Sequence, residues 1–265
     1  MKLVLIGGGA IGEAMVRCLL AQGVVAASDV MVSDISPLRR QYLEQEYGVG
    51  VSAGSAGAVD GADLVILAVK PQSVASVLDD VRVWQPGQLV LSVVAGLDVS
   101  TLCSRLGHSV VVRAMPNMPA QVGRGMTVWT AASSVSEQQR GLARSTLCAL
   151  GEELYVEDEA YLDMATALSG SGPGYVFLFI EALIDAGVHI GLPREMAQKL
   201  AVQTVRGSAE AVEGTKKHPA ELRNMVTSPG GTTAEAILRL ERGALRSLVL
   251  DAVIAAYHRA KNLRE

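Results

Sequence analysis

The ten residues from Leu3 to Gly12, LVLIGGGAIG, decide how the rest of the chain is read. Leu3-Val4-Leu5-Ile6 is an apolar run of strand length, and Gly7, Gly9 and Gly12 follow it at the spacing G-x-G-x-x-G, just where a helical pattern begins. Each glycine meets a different steric demand: Gly7 a tight turn, Gly9 close approach of a diphosphate to the backbone, Gly12 close packing of helix on strand. Ala10 and Ile11 fall in the first helical turn, whose amide N–H groups have no partner inside the helix and sit at the positive end of its dipole. The spacing alone is a weak signal; a strand before it and a helix after it predict a dinucleotide site.

Outward from this turn, further apolar runs occur at 30–33, 64–69, 89–94, 110–113, 126–129 and 154–156, separated by stretches of helical period. The runs are apolar almost continuously, as expected of strands covered by helices on both faces, and the alternation predicts parallel βαβ units. From Glu159 onward no strand pattern remains; Ala-, Leu- and Glu-rich segments predict helices over 160–167, 173–190, 194–213, 219–226, 231–242 and 244–262. Pro193 suits the first turn of one of these helices and Gly214 its end. The predicted class is therefore α/β: a Rossmann-type parallel-sheet domain over residues 1–158, then an all-α domain over residues 159–265. The segment from Tyr175 to Ile184, YVFLFIEALI, is apolar on nearly every side, and a helix of that kind must be surrounded. A second copy of the same helix is the economical cover, which predicts a homodimer through the helical domain, with higher assembly open.

Composition narrows the function. The 265 residues are 49% hydrophobic and 19% charged, enough to bury one large core or two medium ones. A net charge of −4, a pI near 5.7 and the absence of like-charge runs argue against nucleic acid or an anionic membrane as partner. The longest apolar run falls short of the roughly 20 residues a membrane span requires. Met1-Lys2 leads directly into the first strand with no signal-peptide core, so a soluble, cytoplasmic protein is expected. Cys18, Cys103 and Cys148 are odd in number, far apart and set among apolar neighbours, which predicts core positions rather than disulfides or a metal site. His108, His189, His218 and His258 form no dyad or metal spacing, and Glu152-Glu153 and Asp158-Glu159 read as solvated charge at a domain junction. No metal-ligand set, G-x-S-x-G elbow or Walker lysine is present. The chemistry is expected to come from the cofactor, with the protein positioning the substrate.

The cofactor's identity turns on the end of the second strand. Asp34, just after Ser33 and 22 residues past Gly12, stands where a carboxylate holds the adenosine ribose 2′-hydroxyl and repels a 2′-phosphate. Arg39 and Arg40, one or two helical turns later, could instead supply cations for that phosphate, so NADH and NADPH both stay open. Other unusual segments cluster at strand ends: Ala68-Val69-Lys70-Pro71, Ser92-Val93-Val94-Ala95-Gly96 and Arg113-Ala114-Met115-Pro116-Asn117-Met118-Pro119. Ligands of such sheets bind at the carboxyl ends of the strands. Two more, Ser169-Gly170-Ser171-Gly172-Pro173 and Ser228-Pro229-Gly230-Gly231-Thr232-Thr233, precede helices and so offer free N–H groups. Either can also be read as an ordinary helix start, with Ser228 or Thr232 as the N-cap of the last.

Taken in order, G-x-G-x-x-G, A-V-K-P, R-A-M-P-N-M-P, A-L-S-G-S-G-P, D-A-G-V-x-x-G-L-P-R and S-P-G-G-T-T resemble the pyrroline-5-carboxylate reductase family along nearly the whole chain. Leu222 and Val226 before the last motif and Leu240-Glu241 after it extend the likeness. The resemblance implies a Rossmann domain, a helical dimerisation domain and reduction of the cyclic imine of 1-pyrroline-5-carboxylate to L-proline by NADPH or NADH. It implies a substrate site at Val226, Ser228, Gly230, Gly231, Thr232 and Thr233, with Thr233 as the catalytic residue, hydrogen-bonded to the ring nitrogen and either relaying a proton to it or only orienting an imine that arrives protonated. It implies a cofactor site drawing on Gly7, Gly9, Ala10, Ile11, Gly12, Ser33, Asp34, Ser55, Ala68, Val69, Lys70, Pro71, Ala95, Gly96 and Asn117. Family members often carry Asn-Arg where this chain has Asp34-Ile35, Asp-Asn where it has Gly54-Ser55, and alanine in place of Gly174.

Lys70, before a proline at a strand end, suits either a proton donor or a structural role. A β-hydroxyacid dehydrogenase would share the general plan but places a lysine on the helix after a glycine turn, and Gly174-Tyr175-Val176-Phe177 holds none. Reduction of a related cyclic imino acid, or a catalytically silent nucleotide-binding scaffold, are the remaining alternatives.

Overall fold

A computed structural model of the chain describes residues 1–81 and 84–262. It divides into two compact units: Met1–Ser171 together with the chain from Ala256 on, and Gly172–Ala255.

In the first unit, β1 (Leu3–Ile6), β2 (Val30–Ser33), β3 (Gly50–Ser52), β4 (Leu64–Leu67), β5 (Leu89–Ser92), β6 (Val111–Pro116), β7 (Gly125–Ala131) and β8 (Gly151–Tyr155) form one sheet. Its order is β3-β2-β1-β4-β5-β6-β7-β8. The helices are α1 (Ala10–Ala21), α2 (Pro37–Tyr47), α3 (Val74–Asp80), α4 (Val99–Leu106), α5 (Glu137–Cys148) and α6 (Ala160–Ala165). All four residues of β1 are buried, and the period of two divides them between two cores. Leu3 and Leu5 join Met15, Leu19 and Leu43 on one face, while Val4 and Ile6 join Val74 and Leu102 on the other. Truncating a residue such as Leu5 to Ala would cost about 2–5 kcal/mol. The register sets Ile6 beside both Ser33 and Leu67, so the carboxyl ends of β1, β2 and β4 finish level. The chain order reverses direction across the sheet between β1 and β4, the position where ligands of open α/β sheets bind.

The strand expected at 126–129 is present as β7, but it runs antiparallel to β6. Only a short 3-10 turn, Met118–Val122, separates the two strands, and a parallel return needs a crossover of a dozen or more residues. α5 supplies such a crossover, and β8 is parallel to β7. β3, three residues beginning at Gly50, carries too few apolar residues to stand out in the sequence.

The second unit holds α7 (Gly172–His189), α8 (Arg194–Thr215), α9 (Pro219–Met225), α10 (Thr232–Arg242) and most of α11 (Leu245–Lys261). α7 and α8 approach closely at a small-residue contact, where a Cβ on Gly187 would stand 2.9 Å from the Ala197 Cβ. α8 runs past Gly214; Lys216 takes the left-handed conformation (φ 53°) that closes the helix, its N–H reaching the Val212 carbonyl. No residue of α7 is buried within the chain. The predicted helix over 160–167 ends as α6 at Ala165 and continues as a π-helical turn, Thr166–Gly170, toward α7. The helical run from Ala160 to His189 is thereby 30 residues, long and apolar enough by length and composition to cross a membrane. The apolar segment read from the sequence is thus part of a longer helix, of a kind that the core helix of a soluble protein also matches.

Two expectations about polar residues also change. Cys18 is buried, its thiol 3.4 Å from the Ala120 carbonyl, whereas Cys103 is half-buried and Cys148 is exposed. Cys148 is the last residue of α5. The acidic pairs are not simply solvated: Glu153 accepts from the Trp129 indole and pairs with Arg144 at 3.1 Å, and Glu159 pairs with the buried Arg113 at 2.6 Å.

Candidate functional site

The glycine turn has the steric character its spacing implies. Gly7 adopts φ +101°, and a Cβ there would lie 2.7 Å from the Ala68 carbonyl oxygen and 2.8 Å from Val69 Cγ1. A Cβ on Gly12 would lie 2.0 Å from the Gly7 carbonyl oxygen, so only glycine lets α1 start this close to β1. Gly9, the N-cap of α1, is different: a Cβ would meet nothing within 4 Å, and no side chain caps the helix. Open space therefore faces the first turn of α1, with Ala10 exposed and Ile11 half-buried behind it. A diphosphate fits these constraints, because the space is free, the N–H groups are uncapped and the helix dipole favours negative charge.

The other residues expected at the cofactor stand around the same strand ends. Ser33 closes β2 and Asp34 follows it, with Asp34 Oδ2 accepting from the Gly8 N–H and Oδ1 from the Ser36 N–H, both at 2.8 Å. Ser33 and Ser55 are buried with their hydroxyl oxygens 3.2 Å apart, and the Ser55 N–H donates to Asp80 at 2.8 Å. Ala68 and Val69 leave β4 half-buried, followed by exposed Lys70 and Pro71 at the start of a 3-10 turn. Ala95 and Gly96 follow β5, with Gly96 at φ +82°. Asn117 follows β6, but its side chain is engaged: its amide donates to the Ser169 carbonyl at 3.2 Å and lies 3.1 Å from the Ser169 hydroxyl, and its oxygen accepts from the Met126 N–H at 2.9 Å.

A cluster unforeseen in the sequence lies beside Asp34. Arg39 donates from Nε to the Gly8 carbonyl and pairs through Nη2 with Glu13 of α1. The Tyr42 and Tyr47 hydroxyls both donate to the other Glu13 oxygen, at 3.0 and 2.9 Å, and the guanidinium lies 5.0 Å from the centre of the Tyr42 ring. Burial raises the Glu13 carboxyl, but hydrogen bonds from Arg39, Tyr47 and Tyr42 and the Arg39 charge outweigh it and hold the group below the usual carboxylate value. Burial, then the bond to Glu13, pushes Tyr47 upward. Glu13 sits one residue after the glycine motif, yet 26 residues separate it from Arg39, and only the sheet brings α1 and α2 together.

In the second unit, the expected substrate segment forms the turn before α10. Gly230 has φ +70°, a conformation that favours glycine, and a Cβ on Gly231 would stand 2.5 Å from the Ser228 hydroxyl, which would have to turn aside. The N-cap is Gly231 with no side-chain cap, so neither Ser228 nor Thr232 caps the helix. The Gly231 N–H is used by the Ser228 carbonyl at 3.0 Å, while the N–H groups of Gly230, Thr232 and Thr233 have no acceptor among the described residues. Thr233 is half-buried; Val226 and Ser228 are exposed. Among the described residues no group of acidic, histidine and cysteine side chains could hold a metal ion.

Comparison with known proteins shows the family. Residues 159–263 match the family model for pyrroline-5-carboxylate reductase dimerisation, and residues 2–96 match that for NADP oxidoreductase, coenzyme F420-dependent. The chain is 41% identical to a pyrroline-5-carboxylate reductase of Synechocystis, over 99% of this chain and 98% of the relative, and 38% identical to one of Arabidopsis thaliana, over 100% and 96%. Among solved structures, a pyrroline-5-carboxylate reductase of Coxiella burnetii superposes with TM-score 0.91 at 36% identity, covering 100% of this chain and 98% of that one. A Plasmodium falciparum pyrroline carboxylate reductase with NADP bound gives TM-score 0.91 at 29% identity, with the same coverage. With a Rossmann-type sheet carrying the glycine cradle and a helical dimerisation domain after it, the chain belongs to the pyrroline-5-carboxylate reductase family, NAD(P)H-dependent oxidoreductases that act on the cyclic imine of pyrroline-5-carboxylate.

Proposed function

We propose that the turn after β1 holds the cofactor diphosphate and the turn before α10 holds the substrate carboxylate, so that each anion site carries one reactant. The observation that carries this reading is the uncapped start of α10, where the N–H groups of Gly230, Thr232 and Thr233 have no acceptor among the described residues. A carboxylate there gains charge-assisted hydrogen bonds and the favourable end of the helix dipole.

Bound nicotinamide supplies a hydride to the carbon of the C=N bond; a proton adds to nitrogen, giving L-proline and oxidised cofactor. The chain's own residues position the imine. Ser228 and the free N–H groups grip its carboxylate, Val226 flanks it, and the half-buried Thr233 hydroxyl bonds the ring nitrogen. Holding two reactants in attack geometry can supply about 7 kcal/mol or more of the barrier reduction. On the cofactor side, the N–H groups of Gly9, Ala10 and Ile11 meet the diphosphate, with Gly7 and Gly12 setting the turn. Asp34 meets the adenosine ribose over a floor formed by Ser33 and Ser55. Ala68, Val69, Lys70, Pro71, Ala95 and Gly96 line the path toward the nicotinamide, and Asn117 shapes its end.

The working assembly in this reading is a homodimer through the helical domain, over residues 159–265, within the cytoplasm. The bare surface of α7 supports the dimer: Phe177 is 49% and Leu178 68% exposed in a single chain, surface that a second copy would cover. Cys18, Cys103 and Cys148, none of them in a disulfide, are in keeping with that compartment. Oxidation of NADH and of NADPH is to be followed with pyrroline-5-carboxylate and with its six-membered homologue. Turnover of the five-membered imine is expected; turnover of the larger ring alone would reassign the substrate, and none with either would overturn the reading.

A further inference from the structure

Asp34 is not alone in opposing a 2′-phosphate. Both of its carboxylate oxygens are held by backbone N–H groups, at Gly8 and Ser36, so its charge stays at the mouth of the glycine turn. The next residue, Ile35, is 90% exposed and brings no cation. The cations that follow, Arg39 and Arg40, are both engaged. Arg40 Nη1 donates to the Asp34 carbonyl at 2.7 Å. Arg39 lies against the Gly8 carbonyl, and its charge is met by Glu13, which is itself fixed by two tyrosine hydroxyls.

We infer that Glu13 is a positioning residue for cofactor choice: by holding Arg39 in a compensated pair on the glycine turn, it withholds the cation a 2′-phosphate needs. With Asp34 it sets a preference for NADH over NADPH. The inference rests on the reading of the β1–α1 turn as the cofactor site. A phosphate arriving at the ribose 2′ position meets the Asp34 carboxylate directly and must compete with Glu13 for Arg39. A 2′-hydroxyl needs only an acceptor, which Asp34 already is. A purely structural Glu13–Arg39 pair would join α1 to α2 but leave the choice of cofactor unchanged.

The test uses the two adenosine halves of the cofactors, AMP and adenosine 2′,5′-bisphosphate, titrated calorimetrically into the full chain without imine. Wild type is expected to bind AMP at least as tightly as the bisphosphate. Glu13→Gln frees Arg39 and should improve bisphosphate binding relative to AMP by about tenfold or more, the size of one charge-assisted hydrogen bond. Adding Arg39→Ala to Glu13→Gln should abolish that gain, and Glu13→Asp should retain much of the wild-type ratio. Arg39→Ala alone should leave the ratio within about twofold, because the cation is already withheld. Loss of bisphosphate affinity in Arg39→Ala, or an unmoved ratio in a Glu13→Gln protein that melts normally, overturns the inference while leaving the cofactor site standing. Failure of both halves to bind wild type overturns the site itself, and this inference with it.

Discussion

Asn117 at the end of β6 is hydrogen-bonded to Ser169 in the π-helical turn, its amide reaching the Ser169 carbonyl at 3.2 Å and hydroxyl at 3.1 Å. The contact joins two of the motifs that stood out in the sequence, and it fixes a turn of a kind often found at functional sites. Asn117→Ala leaves the turn unheld and should lower kcat/KM about tenfold, equivalent to one or two lost hydrogen bonds. Steady-state kinetics beside thermal melting would check it. A loss of stability with unchanged kcat/KM would confine Asn117 to folding.

Gly9 and Gly12 should separate binding from folding. Gly9→Ala adds a Cβ into open space, so the melting temperature should stay within a few degrees while cofactor affinity falls at least tenfold. Gly12→Ala places a Cβ 2.0 Å from the Gly7 carbonyl oxygen and should lose both stability and affinity. Calorimetric titration and melting of the pair decide the point; an undiminished affinity in Gly9→Ala would move the diphosphate elsewhere.

For Thr233→Val, turnover should fall by more than tenfold while cofactor affinity changes less than twofold, because a hydroxyl held against the reacting nitrogen acts mainly in the transition state. Equal, small effects on both would remove Thr233 from the reaction.

Arg113 is buried and paired with Glu159 at 2.6 Å and Asp163 at 3.5 Å, tying β6 to α6. Arg113→Met strands two carboxylates and should destabilise the protein by about 3–5 kcal/mol in urea unfolding. Replacing the three charges together by apolar residues should recover part of that loss.

Glu13 links stability to acid. Its folded-state carboxyl is held below the usual value, so the folded protein binds this proton less readily than the unfolded chain. The contribution is fully present above the ordinary carboxylate range and is lost as pH falls through the depressed value. Stability measured from neutral to acid pH should decline less steeply in Glu13→Gln than in wild type, and identical slopes would show that Glu13 is not one of the groups responsible.

Much of the fold and both turns were legible in the sequence because they rest on local demands. Leu3–Ile6 is apolar on both faces, and Gly7, Gly12, Gly230 and Gly231 stand where a Cβ collides or φ is positive; such constraints act within a few residues and leave a pattern in the chain. The order of motifs then carried the family. What stayed hidden depends on residues far apart in sequence. The reversal of β7 follows from the length of a connection rather than from any strand propensity, and Glu159 looked solvated until β6 brought Arg113 beside it. Asp34, Arg39 and Arg40 could be read as rival ribose or phosphate contacts from their order alone. Only the packing of α1 against α2, which brings Glu13 onto Arg39, decided which of those charges is already compensated, because a charge is available to a ligand only when no neighbour in space has met it.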